Sequence, residues 1–355
     1  MKVLKTAVVG LGRIGWSYHC KEIAAHEGFE LTAVADRSPE RLAEAEQTYG
    51  AASYSDFDAM LEREALDLVV IASPTIFHKE QAIRAMERGL DVFLEKPMAG
   101  DLDEADAIIR AMKRYGRKVM VFQPHRTTPE FLAAKHIVES GKLGPVYMIK
   151  RGWSNYVRRN DWQSLKQYGG GMLNNYGTHF IDQTLSLAGS AARTIACSLK
   201  KIASLGDADD VVKLTIETEN DITLDIDINM AAALPLPPWT LLGRYGSASM
   251  ERTERGEEFV VRYLKPEELP ALDVNAQLAA PGRKYDNGDR LTWYEERVAV
   301  NGFLPIDFYE RCYDYFALGE APFVSVEETR EVMRIIEECR AGAKEPAAPA
   351  GTPSA

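Results

Sequence analysis

Apolar residues in the first third of the chain fall into short continuous runs that are separated by longer amphipathic stretches. Such runs are typical of parallel strands buried on both faces, and the stretches between them have the composition of helices. Helix starts are expected at Ser38, Ser55 and Asp101, whose side chains are suited to capping. The pattern predicts a doubly wound parallel sheet of the α/β class, with strands at 4–9, 30–35, 67–72, 92–94 and 118–122.

The second part of the chain has a different pattern, in which apolar and polar residues alternate. Apolar side chains recur at every second position from Val212 to Ile216, and again from Ile222 to Ile228 after a turn at Asn220 and Asp221. This period predicts an antiparallel hairpin with one buried and one polar face. Further strands are expected at 147–153, 239–244, 259–263 and 291–298. We therefore predict an α+β unit with a mostly antiparallel open sheet and helices covering one face.

A glycine-rich turn follows the first predicted strand. Gly10, Gly12 and Gly15 form a G-x-G-x-x-G sequence that leads into a helix, and Asp36 ends the next strand. In this context the glycines allow a tight turn, close approach of a pyrophosphate and packing of the helix on the sheet. Asp36 is expected to bind ribose hydroxyls and to repel a 2′-phosphate, whereas Arg37 could pair with that phosphate. The pattern predicts a dinucleotide site that prefers NAD, with NADP possible.

Composition and charge indicate which classes of protein and which kinds of partner are expected. The 355 residues are 46% apolar and 27% charged, as in soluble globular proteins of two domains. A net charge of -11 argues against nucleic-acid or anionic-membrane partners. The four cysteines are far apart and lack metal-ligand or disulfide-framework spacing, so no metal site is expected. With neither a signal peptide nor a membrane span predicted, a cytoplasmic location is expected.

The change of pattern near residue 125 divides the chain into predicted domains. Residues 1–124 are predicted to form the NAD(P)-binding Rossmann domain, and residues 125–342 are predicted to form the α+β domain. Residues 343–355 are rich in Pro, Ala, Gly and Ser, and they are predicted to be a disordered tail. Three loops at strand ends, 73–78, 95–97 and 123–126, should line one cleft, because ligands of such sheets bind beyond the carboxyl ends of the strands.

Two further motifs accompany the glycine turn. They are Glu95-Lys96-Pro97 and the segment from Gly169 to Asp182, which contains Gly-Gly-Gly and Gly177-x-His179-x-x-Asp182. With the fingerprint, in this order, they resemble the Gfo/Idh/MocA family over residues 3–342. The resemblance implies an NAD(P)-dependent oxidoreductase that dehydrogenates a ring hydroxyl of a sugar, sugar derivative or cyclitol. It also implies that residues 125–342 serve substrate binding and oligomerisation.

The resemblance also implies roles for residues in these motifs. Lys96 is expected beside the nicotinamide and the substrate hydroxyl, and His179 is expected to act as acid/base. Asn175 stands where the family usually has an aspartate four residues before the histidine. An amide can orient the imidazole but cannot stabilise its protonated form, so His179 should be a weaker base than in relatives with the aspartate. Asp182 is expected to be a second available polar group on the same helix face.

The complete set of candidate site residues comprises a catalytic, a cofactor-binding and a substrate-binding group. The catalytic group is Lys96, His179 and Asn175. Cofactor contacts are expected from Gly10, Gly12, Arg13, Ile14, Gly15, Asp36, Arg37, Ser73, Pro74, His78, Glu95, Lys96, Gln123 and Trp162. Substrate contacts are expected from Lys96, Arg126, Tyr156, Arg159, Asn175 and His179.

Alternatives remain for several of these residues. His78 either lies near the cofactor or caps a helix, and Arg126 contacts either substrate or an acid in an interdomain ion pair. Trp162 and Arg159 either contact ligands or pack at the domain junction. His19, His26 and His136 lie on predicted helices without ligand spacing, and we interpret them as ordinary.

Two other functions compete with the dehydrogenase. One is a redox-neutral glycoside-cleaving enzyme that oxidises its substrate transiently with tightly held NAD. The other is a non-enzymatic dinucleotide-binding sensor, which would have no need of both Lys96 and His179. The expected partners are a small carbohydrate or polyol and, from the resemblance, other copies of the chain in a homodimer or homotetramer.

Overall fold

The first sheet is six-stranded and entirely parallel. The computed structural model describes residues 2–254, 256–274 and 290–342. Strand order is β3-β2-β1-β4-β5-β6, which confirms the doubly wound prediction. The strands are β1 Leu4–Val9, β2 Phe29–Ala35, β3 Ala52–Tyr54, β4 Leu68–Ile71, β5 Asp91–Leu94 and β6 Val119–Val121. Strand β3 was not predicted, because three half-buried residues are too few to show a period.

Helices connect these strands, and two of the three predicted caps, Ser38 and Asp101, are confirmed. The helices are α1 Lys21–Ala25, α2 Pro39–Tyr49, α3 Phe57–Arg63, α4 His78–Glu87 and α5 Leu102–Tyr115. Ser38 Oγ accepts the Arg41 N–H, and Asp101 Oδ1 accepts the Glu104 N–H. The start predicted at Ser55 is wrong by one residue. The carboxylate of Asp56 caps α3 instead, accepting the Ala59 N–H at 2.8 Å.

The helix after the glycine turn begins with a π-helical turn, Gly15–Cys20, which continues directly into α1. Such wide turns are rare and often occur at functional sites. Here the turn places His19 and Cys20 both inside the molecule, where neither is exposed. His19 therefore lies in the interior of the first domain, beneath the strand ends.

The second sheet is eight-stranded, in the order β14-β13-β12-β11-β7-β10-β9-β8. Among the strands that the structure describes, only β7 and β10 pair in parallel, so the prediction of a mostly antiparallel sheet is confirmed. Strands β8 and β12 were not predicted, because β8 is an exposed edge strand and β12 is rich in small residues. The strands are β7 Val146–Ser154, β8 Ala192–Lys200, β9 Val211–Thr218, β10 Thr223–Asn229, β11 Trp239–Gly243, β12 Gly246–Thr253, β13 Gly256–Tyr263 and β14 Tyr294–Ala299.

The described residues contain four further helices, α6 Pro129–Glu139, α7 Thr178–Ala188, α8 Phe308–Tyr313 and α9 Val326–Gly342. Side chains of α6, α7 and α9 share one core with the buried face of the second sheet, as predicted. Helix α8 packs instead against the first domain, where Phe308 and Phe93 stack at 5.7 Å between ring centroids. The predicted tail, 343–355, lies outside the described residues. No helix in the described ranges is long and apolar enough to cross a membrane.

Candidate active site

The two domains bring Lys96, Asn175 and His179 together at the carboxyl edge of the first sheet. Lys96 follows β5, Asn175 lies in a second π-helical turn, Leu173–Gly177, and His179 lies in the first turn of α7. The Lys96 ammonium donates to the backbone oxygen of Asn175 at 3.2 Å and to its Oδ1 at 3.4 Å. Both hydrogen bonds that this ammonium makes within the described ranges therefore go to Asn175, which leaves a third N–H for a ligand.

His179 is oriented by Gln123 and not, as the sequence suggested, by Asn175. Its Nδ1 lies 3.1 Å from Gln123 Oε1, and its side chain is buried. Because an amide oxygen only accepts, Nδ1 carries the proton and Nε2 has the free lone pair. Within the residues that the structure describes, no hydrogen bond is made to Nε2. Nε2 is thus the atom through which His179 can take a proton.

A second histidine, His125, stacks on His179 and was not among the predicted functional residues. The two rings are parallel within 3° and their centroids lie 3.9 Å apart. In the described part of the chain, His125 Nδ1 is buried without a hydrogen-bond partner. Its place in the 123–126 loop at the sheet edge was the available signal in the sequence. Pattern analysis cannot show that the loop would turn this ring onto His179.

A buried cation lies behind the histidine pair. Arg151, on β7, is 2% exposed and lies between the rings of Phe180 and Trp239, at 4.1 and 4.6 Å. Its guanidinium donates to Gln183 Oε1, and the Gln183 amide donates to the backbone oxygen of His125. Arg151 therefore fixes one side of the site and adds positive charge there.

Burial and positive charge keep both histidines neutral. Burial, aided by Lys96, His125 and Arg151, holds the pKa of His179 well below its usual 6.5. Burial, with Arg151 and Lys96, lowers the pKa of His125 to about 4. Burial and Arg13 also lower the pKa of Lys96, against the opposing effect of Glu95. The site at neutral pH therefore contains a neutral base next to an ammonium group, as proton removal from an alcohol requires.

We predict that acid destabilises the protein through these histidines. An unfolded histidine binds a proton below about pH 6.5, whereas folded His125 does so only near pH 4. The unfolded state therefore binds more protons in this interval, so stability falls as pH falls, by about 3 kcal/mol from His125. Urea unfolding between pH 7.5 and 4 measures the slope. Replacing His125 with Phe, which preserves the stack, should flatten it, and an unchanged slope would contradict the prediction.

The dinucleotide end of the cleft is a cavity of about 440 Å³. Gly10, Asp36, Arg37, Ser73 and Pro74 are among its lining residues. The Asp36 carboxylate accepts the backbone N–H groups of Leu11 at 2.7 Å and Ser38 at 2.9 Å, which fixes it at the strand end. The Arg37 guanidinium lies 5.0 Å from the centroid of the Phe77 ring. The cavity and its charged lining fit the adenosine half of a nicotinamide dinucleotide.

The glycines of the turn have different neighbours. A Cβ at Gly15 would lie 1.9 Å from the Gly10 carbonyl oxygen, and one at Gly10 would lie 2.6 Å from the Ser73 nitrogen. A Cβ at Gly12 would meet nothing within 4 Å among the described residues. Gly10 and Gly15 are thus required by the fold, whereas Gly12 leaves open space above the turn. That space is where a pyrophosphate would approach the backbone.

This difference predicts contrasting effects of two alanine substitutions. Gly12→Ala should retain the thermal stability of the protein, within about 1 kcal/mol, and lower its affinity for NADH at least tenfold. Gly15→Ala should destabilise the fold itself. Titration of NADH fluorescence and thermal unfolding of both variants measure the two effects. Wild-type NADH affinity in Gly12→Ala would show that the dinucleotide does not approach this turn.

Arg126 and Asp182 pair with each other inside the protein. Arg126 forms two 2.7 Å hydrogen bonds with Asp182 and one of 2.9 Å with Glu328. This geometry matches the ion-pair alternative for Arg126. It also shows that the prediction of an available Asp182 is wrong, because its carboxylate is buried and paired.

Glu95 and His78 also face the protein interior rather than the cleft. Glu95 Oε1 lies 3.0 Å from His19 Nε2, and its Oε2 accepts the Lys96 N–H. The two ring nitrogens of His78 lie 3.0 and 2.9 Å from the carbonyl oxygens of Pro97 and Ser73. His78 therefore joins two loops of the cleft from below, and Glu95 supports Lys96 from inside the domain.

The aromatic and basic loop at 156–162 lies beside the glycine segment that precedes Asn175. Gly171 donates to the Gln163 carbonyl oxygen at 2.9 Å, which joins the two segments. Tyr156 and Trp162 are more than half exposed, and Arg159 pairs with Asp161 at 3.5 Å. Ligand contacts of these residues remain predictions. No cluster of His, Cys, Asp and Glu within the described ranges could hold a metal ion.

Known proteins resemble the chain in both domains. The model of an oxidoreductase family with an NAD-binding Rossmann fold matches residues 4–123, and that of the GFO/IDH/MocA C-terminal domain matches residues 131–249. An NAD-binding protein from Listeria innocua superimposes with a TM-score of 0.79 at 27% identity, covering 96% of this chain and 95% of its own. This similarity agrees with the two sheets described above.

Two curated relatives have named activities. Inositol 2-dehydrogenase 2 of Saccharopolyspora erythraea is 28% identical over 252 residues, 70% of this chain and 73% of its own length. A 2,7-anhydro-N-acetylneuraminate hydratase of Mediterraneibacter gnavus is 26% identical over 224 residues, 61% and 59% of the two chains. The chain spans about half the length, 53%, of the curated relatives that it matches at 30% identity. By its two domain matches and its fold, the chain belongs to the Gfo/Idh/MocA family of NAD-binding oxidoreductases.

Proposed function

We propose that the protein is an NAD(P)-dependent dehydrogenase that oxidises a ring hydroxyl of a sugar, a sugar derivative or a cyclitol. The observation that carries the proposal is the neutral His179, with Nε2 free among the described residues, in a site that also holds the Lys96 ammonium. The similarity to an inositol 2-dehydrogenase supports the substrate class. A neutral base and a cation are the two groups that removal of a hydroxyl proton needs.

Each residue of the site has a distinct task in this reaction. The bound nicotinamide would accept the hydride from the carbinol carbon. His179 takes the hydroxyl proton at Nε2, while Gln123 Oε1 holds the opposite N–H and thereby keeps the correct tautomer. Lys96 donates its remaining N–H to the substrate oxygen as negative charge develops there. Asn175 holds the ammonium in place through its backbone and side-chain oxygens.

The dinucleotide pocket supports a preference for NAD. Asp36 is fixed at the end of β2, where its negative charge would meet the adenosine ribose and repel a 2′-phosphate. Arg37 and Arg41 line the same cavity, so NADP should bind measurably but more weakly. Comparing kcat/KM for the two cofactors with Asp36→Ala and the wild type tests this preference.

A substrate panel tests the proposal. Purified protein is incubated with NAD or NADP and with aldoses, uronates, inositols and anhydrosugars, and the absorbance of reduced nicotinamide is followed at neutral and alkaline pH. We expect reduction with at least one class of ring alcohol, and loss of that signal in Lys96→Ala. A protein that binds NADH but reduces neither cofactor with any member of the panel would contradict the proposal.

A second candidate is redox-neutral catalysis with retained NAD. Two observations favour this candidate: the side-chain amide of Asn175 in the site, and the similarity to a 2,7-anhydro-N-acetylneuraminate hydratase. An enzyme of this kind would convert an anhydrosugar or glycoside without net NADH formation. Chromatography of the same panel reactions distinguishes the candidates, because a changed sugar without reduced cofactor favours the second.

We also propose that the protein is a homodimer or homotetramer that pairs through the outer face of its second sheet. The proposal rests on the resemblance to the family and on the position of this face, which the helices on the opposite side do not cover. Lys213 pairs on it with Asp225 and Asp227, so the face is too polar to form a dry interface by itself. Light scattering after gel filtration should give a multiple of 39.5 kDa. A mass of a single chain at micromolar concentration would contradict this assembly.

A further inference from the structure

A buried chain of hydrogen bonds leads from α8 to the backbone of Lys96. The Tyr309 hydroxyl lies 2.8 Å from His19 Nδ1, and His19 Nε2 lies 3.0 Å from Glu95 Oε1. The other oxygen of Glu95 accepts the Lys96 N–H at 3.1 Å. Tyr309 and His19 are fully buried, and Glu95 is 8% exposed. These hydrogen bonds therefore connect three separate elements of the fold inside the first domain.

Chemistry determines the direction of these bonds. A carboxylate only accepts, so His19 Nε2 carries the proton that is shared with Glu95. Burial raises the pKa of Tyr309 well above its usual value of 10, so its hydroxyl keeps a proton and can donate it to Nδ1. The Tyr309 hydroxyl and both ring nitrogens of His19 therefore each have a hydrogen-bond partner.

The surroundings of His19 offer Glu95 few other partners. The imidazole packs against the rings of Phe93 and Phe122, with centroids 5.5 and 5.1 Å away. In an apolar environment of this kind a carboxylate must be hydrogen-bonded, because an unpaired buried charge is strongly unfavourable. Without His19, Glu95 would have to turn toward water and would release the Lys96 N–H. The position of Glu95 thus depends on His19.

We propose that His19 is a positioning residue for Lys96, acting through the Glu95 carboxylate. The inference rests on the proposed function, in which the Lys96 ammonium contacts substrate. His19 also belongs to the π-helical turn that begins at Gly15, so the dinucleotide turn and Lys96 share one buried support. His19, interpreted as ordinary from the sequence, has this role because the wide turn points it inward.

Two variants of His19, whose new side chains have similar length, test the inference. In His19→Gln the side-chain amide can still donate to Glu95, whereas His19→Met has similar volume and no donor. The deprotonated amine of Lys96 is acetylated with limiting acetic anhydride in the absence of substrate, which releases acetate and a proton, and the acetylated Lys96 peptide is quantified by mass spectrometry. We expect severalfold faster labelling in His19→Met and near wild-type labelling in His19→Gln. His136→Gln, on the exposed face of α6, should be unchanged.

The kinetic consequence should appear in kcat rather than in KM. With a substrate from the panel, kcat should fall roughly 100-fold in His19→Met, as expected when a reacting group is displaced by about 1 Å. His19→Gln should recover most of this loss. The same labelling rate in wild type, His19→Met and His19→Gln would overturn the inference. Equal increases in both variants would also overturn it, since they would show a packing effect without a role for the donor.

Tyr309→Phe provides a further variant if His19→Met does not fold. It removes only the outer hydrogen bond and preserves the packing, so a smaller increase in Lys96 labelling is expected. A wild-type rate in folded Tyr309→Phe would then decide against the inference. Because labelling needs no substrate, a silent substrate panel would count against the proposed function and leave the role of His19 to be judged separately.

Discussion

Replacing His179 with Ala should lower kcat by about 10²- to 10⁴-fold, the usual contribution of a general base. The neutral imidazole is the group in the site with a free lone pair at Nε2, and Gln123 fixes its tautomer from the other side. Alanine removes the base whose Nε2 would take the hydroxyl proton. Binding of NADH should be nearly unchanged, because His179 belongs to α7 and not to the dinucleotide turn.

The pH profile separates this effect from a general disturbance of the site. The lowered pKa of His179 means that the base stays neutral, and kcat/KM for oxidation should persist, as pH falls through 6.5. His136→Ala changes an exposed histidine on α6 and is the matched control, with wild-type kcat expected. A His179→Ala protein that retains wild-type kcat would show that another group accepts the proton.

Replacing Arg126 with Met should lower the free energy of unfolding by about 3–5 kcal/mol. Both partners of the pair are buried, with side-chain exposures of 7% for Arg126 and 1% for Asp182. Methionine fills much of the space but leaves the Asp182 carboxylate buried without its counter-ion. The same guanidinium also reaches Glu328 in the first turn of α9, so two helices lose their link.

An exposed ion pair provides the control for this variant. Arg193 and Asp221 are 49% and 80% exposed, and Arg193→Met should cost less than about 1 kcal/mol. The double variant Arg126→Met with Asp182→Leu removes the stranded charge and should regain a large part of the stability. Urea unfolding measures all four proteins. A loss below about 1 kcal/mol in Arg126→Met would show that the buried pair is not a major support of α7.

Local patterns in the sequence were sufficient to predict most of the fold. Buried parallel strands and the period-two hairpin from Val211 to Asn229 each have their own signature, and both are confirmed. The glycine turn was also predictable, since the G-x-G-x-x-G motif, the strand before it and the helix after it are all visible in the local sequence. Strands β3, β8 and β12 were missed because short, exposed or small-residue strands carry little periodicity.

Contacts in the site were harder to predict, because they join residues that are far apart in the chain. The motifs located Lys96, Asn175 and His179, but they did not show that Asn175 contacts the lysine and Gln123 the histidine. The pairing of Arg126 with Asp182 and that of His19 with Glu95 depend on how separate helices pack. Sequence patterns identify residue types at an edge of the sheet, whereas tertiary packing decides which of them meet.

Deuterium transfer tests the central claim most directly. The ring alcohol identified by the panel is prepared with deuterium on its carbinol carbon and incubated with the wild-type protein and NAD. The account predicts a mass increase of one in the recovered reduced nicotinamide cofactor and a carbonyl product without the label. Label that remains in a rearranged or hydrated sugar, with no net reduced cofactor, would contradict the dehydrogenase and favour redox-neutral catalysis.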